Sequence, residues 1–382
     1  MSAWLILIPA LALLPGNATF APDEDERDPM TIPFEWMDHR KLTLDEAPPP
    51  FSFAHEEVIE VWGAWALENE YRLLFTDDTS VLFLTDRKSS QGPRRFEQLE
   101  VTLEYHKLRL LAEEPLDEDA WEDHLKQRKR KRRREPEETQ EHPDIADCVV
   151  LLECKKLVDY TRALDHIAEQ YPRLRTLLGE LRESSGFALP FPLVGAWQES
   201  PAGAEEWNAT NELVNRLTQL CITRDFGPLP RWATLGAAWY TELDLLGSVY
   251  CFPYRNEFVG VGEHAGWENI LQRTFSKRKD EPLRIDELAS CRKEFDSSCA
   301  GLSWGATAFL MSYYPGTLPS LLDDLREKKE EEWPPGVMIP EGEVMVEAGD
   351  QLDILRKHTR QDVLEQISEF FRKGDRYRFP ED

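Results

Sequence analysis

The sequence predicts an α+β molecule, a mostly helical domain with a small mixed sheet, preceded by a strand-rich N-terminal segment. Helical periodicity dominates after residue 150: Leu164, Ile167, Tyr171, Leu174, Leu177, Leu178 and Leu181 recur near every 3.6 residues. Short apolar, β-branched and aromatic runs mark strands before residue 112. Hydrophobic residues make up 41% of the 382, with 12 Trp, enough for a sizeable core. That composition excludes a wholly disordered, collagen-like or fibrous chain. The net charge of −27 repels phosphate backbones, so nucleic acid is not an expected partner.

At the N-terminus, residues 3–21 carry no charge, and Trp4 to Leu14 is strongly apolar. Pro15-Gly16 breaks the run, and Thr19-Phe20-Ala21 presents small residues at −3 and −1. The pattern predicts a secretory signal peptide over 1–21, although its first residues lack Lys or Arg. A secreted, periplasmic or cell-envelope location follows, with no membrane span after cleavage, because no later apolar run approaches the roughly 20 residues a span needs. Residues 22–50 form an acidic, Pro-rich lead, from Asp23-Glu24-Asp25-Glu26 to Pro48-Pro49-Pro50.

Within 51–112 four strands are expected: Val58–Trp62, Tyr71–Phe75, Val81–Leu84 and Leu99–Leu103. Asp77-Asp78 suits a tight turn between the second and third. Residues 113–146 swing from Glu113-Glu114 to the basic run Arg128–Arg134 and back to acid at Glu135, a pattern expected of a charged linker. From residue 147 to 373 a second domain is expected. It opens with the strand Val149–Leu152 and the helical stretch Leu157–Leu181. Strand character resumes over Phe187–Trp197, where Pro190 and Pro192 suit a sheet edge. Trp304–Tyr314, Leu318–Leu325 and Gln351–Phe371 read as helical, leaving 374–382 as a tail.

Six cysteines show no CxxC pair, which argues against a zinc ribbon or a thioredoxin-type site. In an exported chain Cys291 and Cys299 are close enough to close a short disulfide loop; six buried or free thiols are the alternative. Asn17-Ala18-Thr19 and Asn208-Ala209-Thr210 are glycosylation sequons, with meaning only in a eukaryotic secretory pathway.

The informative stretch is Trp207 to Glu242. Asn208-Ala209-Thr210 caps a helix whose apolar face is Leu213, Val214, Leu217, Leu220 and Cys221. Asn208, Asn211 and Asn215 form a polar stripe with Glu212 beside it. Asp225-Phe226-Gly227-Pro228-Leu229-Pro230 stops that helix, and a second runs from Trp232 to Glu242. This layout resembles the gluzincin (thermolysin-like, peptidase MA) metallopeptidases, in particular a secreted bacterial branch in which HExxH precedes W-x-x-E-G-x-A-E-Y. In that family the two His and the Glu of A-E-Y hold zinc, and the Glu of HExxH is the general base. Spacing i, i+4 sets two imidazoles on one helical face, and a carboxylate on the next helix completes an open three-ligand site.

Position by position, the frame matches and the chemistry does not. Asn211 and Asn215 stand at the two His positions, and Trp239 at the Glu-ligand position, 24 residues after Asn215. Leu235 stands where a second acid is usual. Glu212 keeps the general-base position, and Pro230, Trp232, Gly236, Ala238 and Tyr240 keep the scaffold. Carboxamide is a poor zinc ligand and indole is none. No metal or other cofactor is therefore expected, and Glu212 would have no activated water to deprotonate.

The resemblance thus implies a pseudopeptidase without catalytic residues, acting as a binding or structural protein with a peptide or protein partner. Asn211, Asn215, Glu212, Trp239 and Tyr240 then wall a peptide cleft, or they are packing, with Trp239 filling the space of the metal. Two alternatives stand beside it. One is an active hydrolase with a non-standard site, using Glu212 with His264 and Glu263, or using Ser303 in the elbow-like string Gly301-Leu302-Ser303-Trp304-Gly305. The other is an envelope-associated structural protein with no ligand cleft.

Overall fold

A computed structural model of the chain describes residues 53–76, 80–86, 88–131, 148–198, 208–251, 266–278, 281–289, 296–333 and 345–379. Within these the fold is α+β, mostly helical, around one mixed five-stranded sheet. The expected signal peptide, the acidic lead, Asp77-Asp78, Cys291, Glu263 and His264 all lie outside the described residues.

The chain opens with helix α1 (Phe53–Glu68), then β1 (Tyr71–Phe75), β2 (Val81–Asp86) and α2 (Gly92–Tyr105), which runs on as a π-helical turn over His106–Leu110. Two of the four strands expected here are therefore helices. Val58–Trp62 lies in α1, where Trp62, Trp65 and Ala66 are buried at i, i+3 and i+4. Leu99–Leu103 lies in α2, which carries Pro93 in its first turn and buries Phe96 and Leu99. A five-residue β-branched window does not reveal a face that repeats over four turns.

The expected linker is partly a docked helix, α3 (Glu118–Lys131). Its Trp121 is buried edge-on against Tyr105 of α2. Arg128, at the head of the basic run, reaches Glu100 at 3.0 Å and Glu104 at 2.6 Å, both on α2. That side chain is a structural cation, and the basic run beyond Lys131 is outside the described residues.

Strands β3 (Val149–Cys154), β4 (Gly186–Pro190) and β5 (Leu193–Gln198) complete the sheet in the order β1-β2-β3-β5-β4. β2, β3 and β5 are parallel, and β1 and β4 are antiparallel edges. β2 pairs with β3 in the register Val81 to Val149, so residues on both sides of the expected boundary at 113–146 share one sheet. Pro190 ends edge strand β4, where a missing N–H costs no ladder bond.

Alternation along β3 sends side chains to two cores. Val150, Leu152 and Cys154 join α1, α4 (Leu157–Gln170) and the short α5 (Arg175–Glu180) on one face. Val149 and Leu151 join α2 and α6 (Ala209–Phe226) on the other. The distal half of α6 enters a third, all-helical core with α7 (Arg231–Leu246), α8 (Trp267–Arg278), the short α9 (Ile285–Ala289) and α10 (Ser297–Tyr313). α11 (Leu318–Glu332), α12 (Ala348–His358) and α13 (Val363–Lys373) complete that core. The expected tail is packed too: Tyr377 is buried, and the Phe379 ring stacks on Tyr313. Among the described residues no helix is long and apolar enough to cross a membrane.

Candidate functional site

Helices α6 and α7 build the site. Asn208 caps α6, its side-chain oxygen accepting from the Thr210 N–H at 2.9 Å. Gly227, at φ +70°, ends the helix ahead of the Pro228-Leu229-Pro230 turn, and α7 begins after Pro230. α7 closes at Gly247, whose left-handed φ of +68° turns the chain back over the helix pair. The strap that follows, Ser248 to Cys251, covers the polar face of α6.

Where the two helices meet, a carboxylate does face the two asparagines, but it belongs to Glu242 and not to the residue at 239. Asn211 Nδ2 donates to Glu242 Oε1 and Asn215 Nδ2 to Oε2, each at 2.8 Å. Glu242 is one turn beyond Trp239 on the same helix face. Its Oε1 also accepts from the backbone N–H of Tyr250 at 2.7 Å and of Cys251 at 3.3 Å. Asn211 Nδ2 additionally donates to the Ser248 carbonyl at 2.7 Å, and Asn215 Oδ1 accepts from Gln219 Nε2 at 2.5 Å. One carboxylate thus ties α6, α7 and the strap together.

Glu212, at the general-base position, points into the same buried layer and is held there. Arg216, one turn on, brings Nε and Nη2 each to 3.1 Å from Glu212 Oε2, and the Cys251 thiol donates to that oxygen at 3.2 Å. Asn211, Glu212, Asn215 and Glu242 are each 0% exposed. Burial pushes the Glu242 carboxyl up to about 8; the N–H donors draw it back down, and the like charge of Glu212 adds to the rise. Burial likewise pushes the Cys251 thiol well up, so it is a neutral donor at ordinary pH.

Trp239 fills the space between α7 and the strap. It is fully buried, its Nε1–H donates to the Cys251 carbonyl at 2.8 Å, and its ring meets Trp267 edge-on at 5.4 Å. Tyr240 does not join Glu212. It points to the other side of α7, toward Asp244 and toward Arg109 and Tyr105 from the α2 side. The scaffold residues have packing reasons: a Cβ on Gly236 would lie 2.4 Å from the Ser303 carbonyl of α10, and Trp232 Nε1–H donates to Gln351 of α12.

Ser303 is no nucleophile elbow. It lies in the middle of α10, fully buried, and its hydroxyl is donated to the Cys299 carbonyl at 2.7 Å. An elbow needs a strand-to-helix turn that exposes the hydroxyl.

The donor set does not fit zinc. Both carboxamide nitrogens point at Glu242, and a nitrogen that donates a proton offers no lone pair to a metal. Among the described residues no three His, Cys, Asp or Glu side chains converge as a metal site.

Glu242, Arg216, Gln219 and Cys251 are the members that sequence reasoning missed. The i, i+4 pair Glu212–Arg216 is visible in the sequence, and so is Glu242 on the Trp239 face of α7. Cys251 depends on the turn at Gly247, which no spacing rule reveals. No known protein-family model matches this chain, and no curated protein matches it significantly in sequence.

Proposed function

We propose that this chain is a non-catalytic pseudopeptidase, a gluzincin-like scaffold whose metal face has become a hydrogen-bonded core, serving as a binding or structural protein. The single observation that supports this most is the convergence of the Asn211 and Asn215 amides on the buried Glu242 carboxylate. At the two positions expected to hold the histidine ligands, both side-chain amide nitrogens are engaged by Glu242. The Arg216 clamp on Glu212 argues in the same direction, since a general base must reach a water. Complete burial of Asn211, Glu212, Asn215 and Trp239 supports packing over a cleft, so on this reading a peptide or protein partner engages another surface. The reading includes export, with cleavage after Ala21.

Metal analysis of the mature protein, purified without chelators or an added His tag, tests the proposal. The expected result is no stoichiometric zinc, before or after dialysis against zinc and a metal-free wash. About one zinc per chain, the content of a single catalytic site, would overturn it. N-terminal sequencing of the exported protein checks the location: the expected first residue is Pro22.

A further inference from the structure

Glu242 presents a problem that its neighbours are arranged to solve. Its carboxyl is wholly buried, the Arg216 guanidinium is turned to Glu212, and every group hydrogen-bonded to it is an N–H donor. Among the described residues, the charged groups facing this layer are Glu212 and Arg216 from α6; the strap contributes the Cys251 thiol, and α4 contributes the Tyr160 phenol, close to Arg216 and Glu212. α10, packed across the other side of α7, carries no Asp, Glu, Lys, Arg or His. An ionised Glu242 suits the four donors. A neutral one has a proton to donate and needs an acceptor.

The two asparagines differ in whether they can supply that acceptor. Asn211 Nδ2 bridges two acceptors, Glu242 Oε1 and the Ser248 carbonyl, so turning its amide over would set oxygen against the Ser248 carbonyl oxygen. Asn215 sits between Glu242 Oε2 and Gln219 Nε2, a chain of three groups that reads equally well in either direction. If the Asn215 and Gln219 amides both turn over, Glu242 Oε2–H donates to Asn215 Oδ1, and Asn215 Nδ2–H donates to Gln219 Oε1. Amide nitrogen and oxygen are nearly the same size, so they exchange places without displacing a neighbour. Oε1 keeps its donors from Asn211 and the strap.

We propose that Glu242 is a buried proton-binding site whose two protonation states are both satisfied by inversion of the Asn215 and Gln219 side-chain amides. The proton comes from and returns to solvent, and only the direction of two hydrogen bonds changes. Gln219 is half-buried, so the charge state of a fully buried carboxyl is carried one helical turn toward the surface of α6. The proposal concerns these side chains alone and does not rest on a peptidase ancestry.

Two measurements on the intact protein test it. Near pH 7 surface carboxyls are ionised, and buried Glu153 and Glu212 are paired with Arg95 and Arg216. Glu100, also buried, is paired with Arg128. Among the described residues Glu242 is therefore the expected source of a neutral-acid infrared carbonyl band, its loss centred near pH 8, and the part of that band absent from Glu242→Gln is the part read. In 15N-resolved NMR the side-chain amides of Asn215 and Gln219 shift with that same midpoint, while those of Asn211 do not invert. Absence of a neutral-acid band at pH 7 would overturn the proposal. So would a band that titrates while the Asn215 and Gln219 amides stay still. Glu242→Gln removes the band if it folds; if it does not, the wild-type titration alone decides.

Discussion

At the scale of single residues, Glu212 separates a structural role from a catalytic one. Its ion pair with Arg216 is fully buried, and a buried charge stripped of its partner is costly. Arg216→Met is expected to destabilise the protein by about 3–5 kcal/mol in urea unfolding. Adding Glu212→Leu to it should recover most of that loss, because both charges are then gone. A residue retained for proton abstraction would behave otherwise: Glu212→Gln would leave stability near wild type and abolish an activity. An unrecovered double variant would sink the ion-pair account. How much of this site can be read from the sequence follows from distance along the chain. The Asn211–Asn215 and Glu212–Arg216 spacings are local and follow from helical geometry. That the asparagines meet Glu242, 27 residues from Asn215, depends on how α6 and α7 cross, and spacing along one helix does not encode a crossing.

At the scale of elements, the α7–α10 crossing brings two helix backbones into close approach. Gly236 has room for no Cβ: the Ser303 carbonyl would lie at 2.4 Å and Thr307 Oγ1 at 2.5 Å. Gly236→Ala should therefore force the helices apart and cost about 1–3 kcal/mol. Gly349, near the start of α12, has nothing within 4 Å of an added Cβ and an ordinary φ. Gly349→Ala should stabilise by at most about 1 kcal/mol through helix propensity. Thermal unfolding of the two variants should shift in opposite directions; a common direction would mean that the crossing is not the constraint. The same contrast explains which elements the sequence shows. β1, β2, β3 and the β4–β5 hairpin are short apolar runs between turn residues, so their strand character is local. α1 and α2 hide β-branched windows inside longer helical faces, such as Trp62, Trp65 and Ala66. α3 is mostly charged and docks through Trp121 and Arg128, too few anchors to form a visible pattern.

At the scale of the whole molecule, two buried groups with opposite shifts shape stability against pH. His106, in the π-helical turn after α2, faces Thr218 of α6 at 2.9 Å, and Thr218 already donates its hydroxyl to the Val214 carbonyl. His106 Nε2 is therefore the protonated nitrogen of a neutral ring. Burial pushes this imidazole down to about 3, and the charge of Arg224 acts in the same sense. Unfolding returns it to about 6.5, so between these values the unfolded chain binds more protons and stability falls as pH drops. Glu242 has the opposite sign. Its carboxyl titrates near 8 when folded and near 4.5 when unfolded, so between these values the folded chain binds more protons and stability falls as pH rises. Each slope reaches about 1.4 kcal/mol per pH unit, and the two oppose each other where the windows overlap, between 4.5 and 6.5. Urea midpoints measured from pH 3 to 9 should form a plateau there, with a falling limb on either side. His106→Asn, which keeps a donor for Thr218 but has no titrating group, should make the acid limb shallower and leave the alkaline one; the lowered His166, Glu287, Asp324 and Glu369 keep the rest of the acid limb. Glu242→Gln should flatten the alkaline limb and leave the acid one. A variant that moved both limbs together would mean that the limbs arise from the summed surface charge and not from these two buried groups.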